Sequence, residues 1–571
     1  MKTIWKRHNK LIIYTGLLVV GVLYYLPHLM IDGIPQYPYE DAVFHLSRIM
    51  GLSSVWKSPV NFLNFHHNGL MVNIFYPWLT IYPAYLLYKI FGSYITAYKA
   101  YYLILTIITL FLAFDVMHHI SKNKLSAFAF AVLYTFSSYR FENLFHRSAM
   151  GETTAITLWL LLFLGLYHVF FGDWTHWGYL TAGMALLSYT HNLSLMIGIL
   201  ITALSFLFSV RFWDNKSKRI RSLFYAAICT FFLTLGSLVP MLELYFTNKL
   251  QIPSGSGLSL KRSVFDLPTV IKKMILNDTS AHSVGLIVFA TAMCLCLFMI
   301  VKMVKKEEMS GNKGINFFAI TGIAFIFIVS DLLPWEWIGE HTFLKFLQIV
   351  WRLNICPTIF ILSAFSYYLP QMISSRKTAF CISLFIVAAA IGIHYKTFLV
   401  LHHMEHTRVF DDYIISGEAA SMDYAPLQAK YYRNKTHQPY LSGILFQDNN
   451  KTNISADPEI TISEDGSVYS AVFSVTVPSD GLTVDLPVFR YSSQICELNG
   501  TEIVTEMSER GSTLIKLEHE QSQANEIRIY YRYTTLAHIS HLISAVTAIL
   551  LILYFIGRKR KGESYKITAQ S

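Results

Sequence analysis

Residues 193–210 have the sequence LSLMIGILITALSFLFSV, an uncharged and mostly apolar stretch. A helix needs about 20 apolar residues to cross the hydrocarbon core of a bilayer, so this stretch has nearly the length of a membrane span. Similar runs recur along a chain of 571 residues that is 53% hydrophobic and only 14% charged. Soluble proteins carry about 25% charged residues, and most of these runs lack the polar face of a soluble helical repeat. The sequence therefore predicts a many-pass membrane protein.

Thirteen apolar runs are present, and twelve of them are predicted to cross the membrane. The exception, 74–91, is short and contains Pro77 and Pro83, and proline breaks a helix internally. We expect it to be an interfacial or re-entrant segment on the outer side, because only then do both basic chain ends and the basic loops lie inside. The predicted spans are 11–31, 98–119, 124–139, 153–171, 177–190, 193–210, 222–246, 284–304, 315–333, 346–369, 378–400 and 536–557.

The charges and cysteines agree with this topology. Much of the net charge of +10 lies in short loops such as 216–221, 302–306 and 558–561, which indicates cytoplasmic anchoring rather than a nucleic-acid surface. Five of the six cysteines lie in apolar runs, so Cys496 has no disulfide partner within the predicted outer domain. No cysteine or histidine spacing typical of a metal site appears.

The region 401–535 differs in character from the rest of the chain. Short alternating stretches (469–477, 482–488, 512–517 and 526–533) are separated by turn residues such as Asn499-Gly500. Alternation with a period of two favours strands, which predicts a small β-sandwich after a less regular part, 401–445. The predicted domains are a transmembrane domain 1–400 with outer loops 32–97, 137–153 and 247–283, an extracytoplasmic β-rich domain 401–535, and a last span with a basic cytoplasmic tail 536–571.

The first outer loop contains the most informative polar cluster, EDAVFHLSR at 40–48. On a helix, Asp41, His45 and Arg48 fall at i, i+4 and i+7 and share one polar stripe. Such a stripe offers a base or metal ligand and a partner for an anion within one site. Glu40 points about 100° away from Asp41, so the two acids are expected to differ in role. The alternative is a solvated first turn whose acids only favour the helix dipole.

Three further polar clusters are predicted at the same side and a similar depth. Arg147 and Glu152 are costly near hydrocarbon unless they are paired or used, and a purely structural ion pair is the alternative. His191 and Asn192 lie at a corner between two short helices, where a capping turn is as well supported as a ligand role. Arg352 would either bind a phosphate bidentately or extend to the membrane interface. The clusters together favour an outward-facing site for an anionic lipid head, such as a polyprenyl phosphate.

The order of these motifs resembles the GT-C superfamily of membrane glycosyltransferases. More narrowly, it resembles bacterial YfhO-like and "6-pyruvoyl-tetrahydropterin synthase-related" membrane proteins. The resemblance covers most of the chain, since 485–489 and 497–500 look like the β-domain of that family. The other segments that carry it are the acidic pair at 40–41, FYPWLTIYP at 75–83, YTFSSYR at 134–140, RSAMGE at 147–152 and THNLS at 190–194.

The resemblance implies a glycosyltransferase that uses a polyprenyl-phosphate sugar donor on the outer face of the cell membrane. The implied acceptor is a cell-envelope polymer or glycolipid. Asp41 would be the general base, with Glu40 as the second choice, and Arg48, Arg147 and Arg352 would bind the lipid phosphate. No Asp-x-Asp triplet occurs in the first loop, so a requirement for Mg²⁺ or Mn²⁺ is left open and no other cofactor is assigned. The remaining residues assigned to donor or substrate binding are His45, Glu152, His191 and Asn192.

Two functions of other classes are kept as alternatives. A flippase or transporter for a lipid-linked saccharide would favour internal repeats and ionisable residues near the membrane midplane, whereas here the ionisable residues cluster at the outer ends. A non-catalytic envelope-assembly protein would tolerate Asp41→Asn, and an enzyme would not. Nucleotide chemistry is disfavoured, because no Gly-rich phosphate loop is present.

Overall fold

A computed structural model shows a bundle of helices followed by two antiparallel β-sheets. The predicted fold class, a polytopic helical membrane protein with a C-terminal β-rich region, is confirmed. Glu40 lies outside the described residues. The structure describes residues 2–35, 41–251, 260–278, 283–306, 311–373, 375–403, 408–417, 423–429, 444–448, 451–456, 468–475, 482–517 and 525–568.

Nine helices within the described ranges are long and apolar enough to cross a membrane, rather than the predicted twelve. The other three predicted spans form shorter helices, Lys124–Thr135, Gly178–Ser188 and Lys313–Ile328, because a turn ends each helix early. The sidedness of the loops and chain ends stays a prediction. The nine are Lys10–Leu29, Tyr94–Ser121, Met150–Phe170, Asn192–Phe212, Lys216–Thr247, Gly285–Val304, Val350–Gln371, Arg376–Val400 and Thr535–Arg558.

The segment 74–91 is built from short pieces rather than from one continuous helix. A single turn at Val72–Phe75 is followed by a 3₁₀ turn at Leu79–Ile81 and by the helix Tyr82–Phe91. That helix has 10 residues and a length of about 15 Å, which is half of the roughly 30 Å hydrocarbon core. These lengths agree with an interfacial segment. The candidate span Arg376–Val400 contains a turn at 393–394, after which the chain continues as the helix Tyr395–His403. Other short helices are Asp41–Gly51, Ser138–Phe141, Leu267–Ile275, Trp335–His341 and Asp411–Ile415.

The helix Tyr94–Ser121 is capped by two segments of the chain. Ser93 accepts a hydrogen bond from the Thr96 amide, as an N-cap residue does. Asp411, far along the chain, accepts hydrogen bonds from the Tyr94 amide at 2.7 Å and the Ile95 amide at 3.1 Å. Its carboxylate also lies at the positive end of the helix dipole. The chain that leads to the β-region is thereby fixed to the bundle.

The described strands are β1 (Ile34–Pro35), β2 (Arg408–Val409), β3 (Ile444–Asp448), β4 (Lys451–Ala456), β5 (Ser470–Val475), β6 (Leu482–Phe489), β7 (Gln494–Leu498), β8 (Thr501–Ile503), β9 (Glu506–Met507), β10 (Ser512–Leu517) and β11 (Asn525–Tyr531). The four predicted strands are confirmed as β5, β6, β10 and β11.

The C-terminal strands form a sandwich. The sheets have the orders β4-β3-β6-β10-β9 and β5-β11-β7-β8, and alternate residues of both, such as Leu486 and Ile527, enter one core. Asn499-Gly500 closes the β7–β8 hairpin with positive φ at both residues, the backbone that such turns need.

The first outer loop is part of the sandwich core. Phe62 and Met71 are buried in the same apolar cluster as the inward residues of the strands. Asn68 donates from Nδ2 to the Pro487 carbonyl at 2.8 Å, and its own carbonyl accepts from the Phe489 amide at 2.8 Å. The first outer loop and the sandwich therefore share a core, and this loop also leads into the candidate site.

Candidate functional site

The helix Asp41–Gly51 carries the predicted polar stripe. Its apolar residues, such as Leu46, are buried against the bundle. Of the stripe, His45 and Arg48 are only 2% and 0% exposed, whereas 35% of the Asp41 side chain is exposed. Only the first residue of the stripe therefore reaches open space.

Arg147 joins two carboxylates. Its Nη2 donates to Asp41 Oδ2 at 3.1 Å, and its Nη1 donates to Glu152 Oε2 at 2.9 Å. Nη1 also donates to Asn143 Oδ1 at 2.6 Å, and the guanidinium lies 4.6 Å from the centroid of the Trp351 ring. Contacts on several sides hold this cation in one orientation between the two acids.

Glu152 is a buried and fully hydrogen-bonded carboxylate. Tyr139 donates its hydroxyl to Oε1 at 2.7 Å, and Oε2 accepts from Arg147 and, at 3.4 Å, from Arg352 Nε. Arg352 Nη1 donates to the Gln348 side chain at 2.8 Å. Arg352 Nη2 donates to no other described residue. Glu152 is thus the counter-ion of two arginines, one of which keeps a donor for a further partner.

The two carboxylates and the cation between them influence the protonation of the site. Burial raises the pKa of Asp41 above its ordinary value, although Arg147 and Arg352 act in the opposite direction. Burial alone would lower the pKa of Arg147, but Glu152 and Asp41 raise it above its usual range. Asp41 is therefore a stronger base than an ordinary aspartate, beside an arginine that stays charged.

The guanidinium of Arg48 donates its hydrogen bonds to other groups of the protein. Its Nη2 donates to the Tyr76 carbonyl at 3.0 Å and the Pro77 carbonyl at 2.8 Å, and its Nη1 lies 3.2 Å from His45 Nδ1. Nε donates to Asn73 Oδ1 at 3.4 Å, and the guanidinium lies 4.0 Å from the centroid of the Tyr76 ring. Burial lowers the Arg48 pKa to about 10, so the group stays charged at neutral pH. This geometry favours a structural role for Arg48, in which it holds the loop, rather than the predicted contact with the lipid phosphate.

Tyr76 lies at the centre of the predicted residues. Its ring centroid is 5.4 Å from that of His45 and 5.7 Å from that of His191. Gly151 lets it approach the helix Met150–Phe170, since a Cβ there would lie 2.5 Å from the Tyr76 hydroxyl.

Burial lowers the pKa of His45 well below its ordinary value and that of His191 to about 3. Both imidazoles are therefore neutral at physiological pH.

The other half of the predicted corner, Asn192, supports the loop. Its Nδ2 donates to the Phe75 carbonyl at 3.5 Å and to Met241 Sδ at 3.0 Å. His191 pairs through Nδ1 with the Ser194 hydroxyl at 2.8 Å. Neither hydrogen bond reaches a carboxylate, and Asn192 instead joins this corner to the loop that carries Tyr76.

All the predicted site residues that the structure describes therefore converge on one region, around Arg147 and Tyr76. Whether each has its predicted chemical role stays a prediction. Among the described residues, no group of three or more His, Cys, Asp or Glu side chains is placed to hold a metal ion. The prediction did not select four contributors. Tyr76 and Tyr139 lay inside the quoted motifs and Trp351 lay next to Arg352, whereas Asn143 lay between two quoted motifs.

Comparisons with known proteins give little further information. No family model matches this chain, and no curated protein matches it. Among solved structures, the chain is similar to one described as ArnT from Cupriavidus metallidurans bound to undecaprenyl phosphate. The identity is 9%, the match covers 72% of this chain and 74% of that one, and the TM-score is 0.37. At that TM-score no residue or role is transferred from the similarity.

Proposed function

We propose that this protein is a membrane glycosyltransferase of the GT-C type that acts on the extracytoplasmic face. It would move a sugar from a polyprenyl-phosphate donor onto a hydroxyl of a cell-envelope polymer or glycolipid. One observation carries the proposal, namely the contrast between the two carboxylates that share Arg147. Asp41 is partly exposed and receives one hydrogen bond, whereas Glu152 is buried and receives three. Two acids in such different surroundings are suited to different roles.

Asp41 is assigned the general base. The acceptor oxygen attacks the anomeric carbon of the donor, and its proton passes to the Asp41 carboxylate as the new glycosidic bond forms. The bond from the anomeric carbon to the phosphate oxygen breaks, and the polyprenyl phosphate leaves with the electron pair. A base is most effective when its pKa approaches the working pH, and the raised pKa of Asp41 is a shift in that direction.

Arg147 and Arg352 are assigned to the phosphate. Both donate to Oε2 of Glu152, which holds both guanidinium groups in place before the donor arrives. Charge that develops on the departing phosphate is stabilised best by donors that do not need to reorganise. Arg352 Nη2 supplies such a donor, and planar guanidinium groups match phosphate oxygens in pairs. The contacts of Arg147 and Arg352 with the phosphate are part of the proposal.

The test is transfer in proteoliposomes with radiolabelled polyprenyl-phosphate sugars and envelope polymers as acceptors. We expect transfer by the wild type and none above background by Asp41→Asn, because the amide cannot accept the acceptor proton. Asp412→Asn is the matched control, since Asp412 is an exposed carboxylate whose side chain forms no hydrogen bond or ion pair with the described residues of the cluster. It should transfer like the wild type.

Two results would contradict the proposal. Equal transfer by the wild type and Asp41→Asn would remove Asp41 from the mechanism. A wild type that transfers nothing but moves the lipid-linked sugar across the bilayer would identify a flippase instead.

A further inference from the structure

The sandwich reaches the candidate site through the short segment 423–429. Leu250, just beyond the helix Lys216–Thr247, forms an antiparallel bridge with Pro426. Next to it, the Gln251 amide donates to the Ala425 carbonyl at 3.1 Å. The segment is therefore fixed to the end of a long helix, although it belongs to the C-terminal part of the chain.

Tyr424 places this segment against the loop of the site. Its ring stacks on Phe75, with the centroids 5.3 Å apart and the planes 3° from parallel. Its carbonyl accepts the Tyr491 hydroxyl at 2.8 Å, which ties it to the sandwich. Phe75 directly precedes Tyr76, the centre of the site. The residue before Tyr424 is consequently held close to the loop that carries Tyr76.

That residue is Asp423, a second carboxylate, at an exposed position of the chain. Burial of its surroundings raises the pKa of Asp423, and the negative charge of Asp41 raises it further, so the two carboxylates are electrostatically coupled. Asp423 forms no hydrogen bond or ion pair with another described residue. Its carboxylate is thus open to a ligand, in contrast to that of Glu152, which is buried and accepts three hydrogen bonds.

We propose that Asp423 is a specificity-determining residue on the acceptor side of the site. It accepts a hydrogen bond from a second hydroxyl of a polyhydroxylated acceptor while Asp41 faces the hydroxyl that attacks. The inference rests on the proposed function and gives the sandwich a direct part in it. The acceptor it selects is a neutral or cationic polyol, because ionised carboxylates only accept hydrogen bonds and would repel an anionic group beside the attacking oxygen.

The test is a partition experiment on the wild type, Asp423→Asn and Asp412→Asn. Each is given the radiolabelled donor with glycerol, a vicinal triol, or with 1-propanol, which has the same carbon chain and one hydroxyl. The measured quantity is the ratio of alkyl glycoside to free sugar at equal alcohol concentration. This ratio is independent of the amount of active enzyme, so a loss of folded protein does not change it.

We expect the wild type and Asp412→Asn to prefer glycerol over 1-propanol by about tenfold, the usual effect of one charge-assisted hydrogen bond. Asp423→Asn should lose most of that preference and still release sugar from the donor. An unchanged preference in Asp423→Asn would overturn the inference and leave the proposed function standing. An equal loss of hydrolysis and of both transfers would also overturn it, because Asp423 would then support the site rather than select the acceptor. A wild type without hydrolysis or transfer would contradict the proposed function itself.

Discussion

At the scale of single residues, the two carboxylates of the site lie in different surroundings. Glu152 is a counter-ion, with Tyr139, Arg147 and Arg352 around its oxygens. Asp41 shares Arg147 but keeps 35% of its side chain exposed. A buried charge that loses its partner is strongly destabilising, whereas a half-exposed pair contributes little. Stability and chemistry are therefore expected to depend on different acids.

Glu152→Gln should destabilise the protein much more than Asp41→Asn. The substitution leaves two buried arginines without their shared charge, at a cost of about 3–5 kcal/mol, while the loss at Asp41 is about 0–1 kcal/mol. Thermal unfolding of both variants in the same detergent measures the difference. Equal midpoints would show that Glu152 is not the structural counter-ion of the cluster.

The pH dependence of transfer should follow the ionisation of the Asp41 carboxylate. Only the ionised carboxylate takes up the acceptor proton, so kcat/KM should fall as the pH decreases through the Asp41 pKa. Because burial raises that pKa, the midpoint should lie above the ordinary aspartate value of about 3.9. His45 and His191 have lowered pKa values and should add no transition near pH 6.5. Such a transition that disappears in a His45 or His191 variant would contradict this assignment.

The sequence indicates the stripe of Asp41, His45 and Arg48 because helical spacing is local. It does not reveal that Arg48 turns inward, since its carbonyl partners lie 28 and 29 residues further along the chain. The pairing of Arg352 with Glu152 joins residues 200 positions apart. The residue types at the motif positions were thus predictable from the sequence. Which of these side chains are buried in structural contacts and which are exposed was not predictable.

At the scale of elements, the site depends on close approach between a loop and a helix. Tyr76 lies against Gly151 in the first turn of the helix Met150–Phe170, where a side chain would collide with its hydroxyl. The Tyr76 ring in turn lies between Arg48 and His191. The glycine therefore sets how near the loop comes to the helix that carries Glu152.

Gly151→Ala should reduce transfer by at least about tenfold, because the added methyl must displace Tyr76 and overpacking costs about 1–3 kcal/mol. Gly16→Ala is the matched control, since a Cβ at Gly16 meets nothing within 4 Å in another membrane helix. Transfer and thermal midpoint should both be measured for the two variants. A Gly151→Ala protein as active as Gly16→Ala would mean that Tyr76 adjusts freely.

Element types were more predictable than element lengths. Apolar runs and alternating strands are local patterns, and they located the long helices and the strands β5, β6, β10 and β11. Helix ends depend on turns and on caps from distant segments, as when Asp411 caps the helix that begins at Tyr94. Three predicted spans were consequently too long.

At the scale of the whole molecule, the sandwich and the loop of the site share one core. Phe62, Met71 and Phe75 are packed with the inward residues of both sheets. Asn68 pairs with Pro487 across 419 residues of sequence. No local pattern predicts such a contact, so the sequence indicated the sandwich as a separate domain without its junction to the site.

Leu486→Ala, in the centre of β6, should therefore loosen the loop as well as the sandwich. Leu486 is fully buried, and truncating a buried leucine costs about 2–5 kcal/mol. Hydrogen–deuterium exchange should increase in peptides that cover 60–75, in addition to those from the strands. Val504→Ala, at a position that is 94% exposed, should leave both unchanged. Faster exchange in the strands alone would show that the loop is held by the bundle.

The shared core also determines when the protein can become active during its synthesis. The 419 residues that separate Asn68 from Pro487 take roughly 20–80 s to translate at typical rates. Throughout that interval the apolar side chains of the loop have emerged, but the strands that cover them do not yet exist. The nascent chain therefore holds an aggregation-prone segment next to an unfinished candidate site. Cells that make this protein in quantity should depend on a chaperone at the side where the loop emerges.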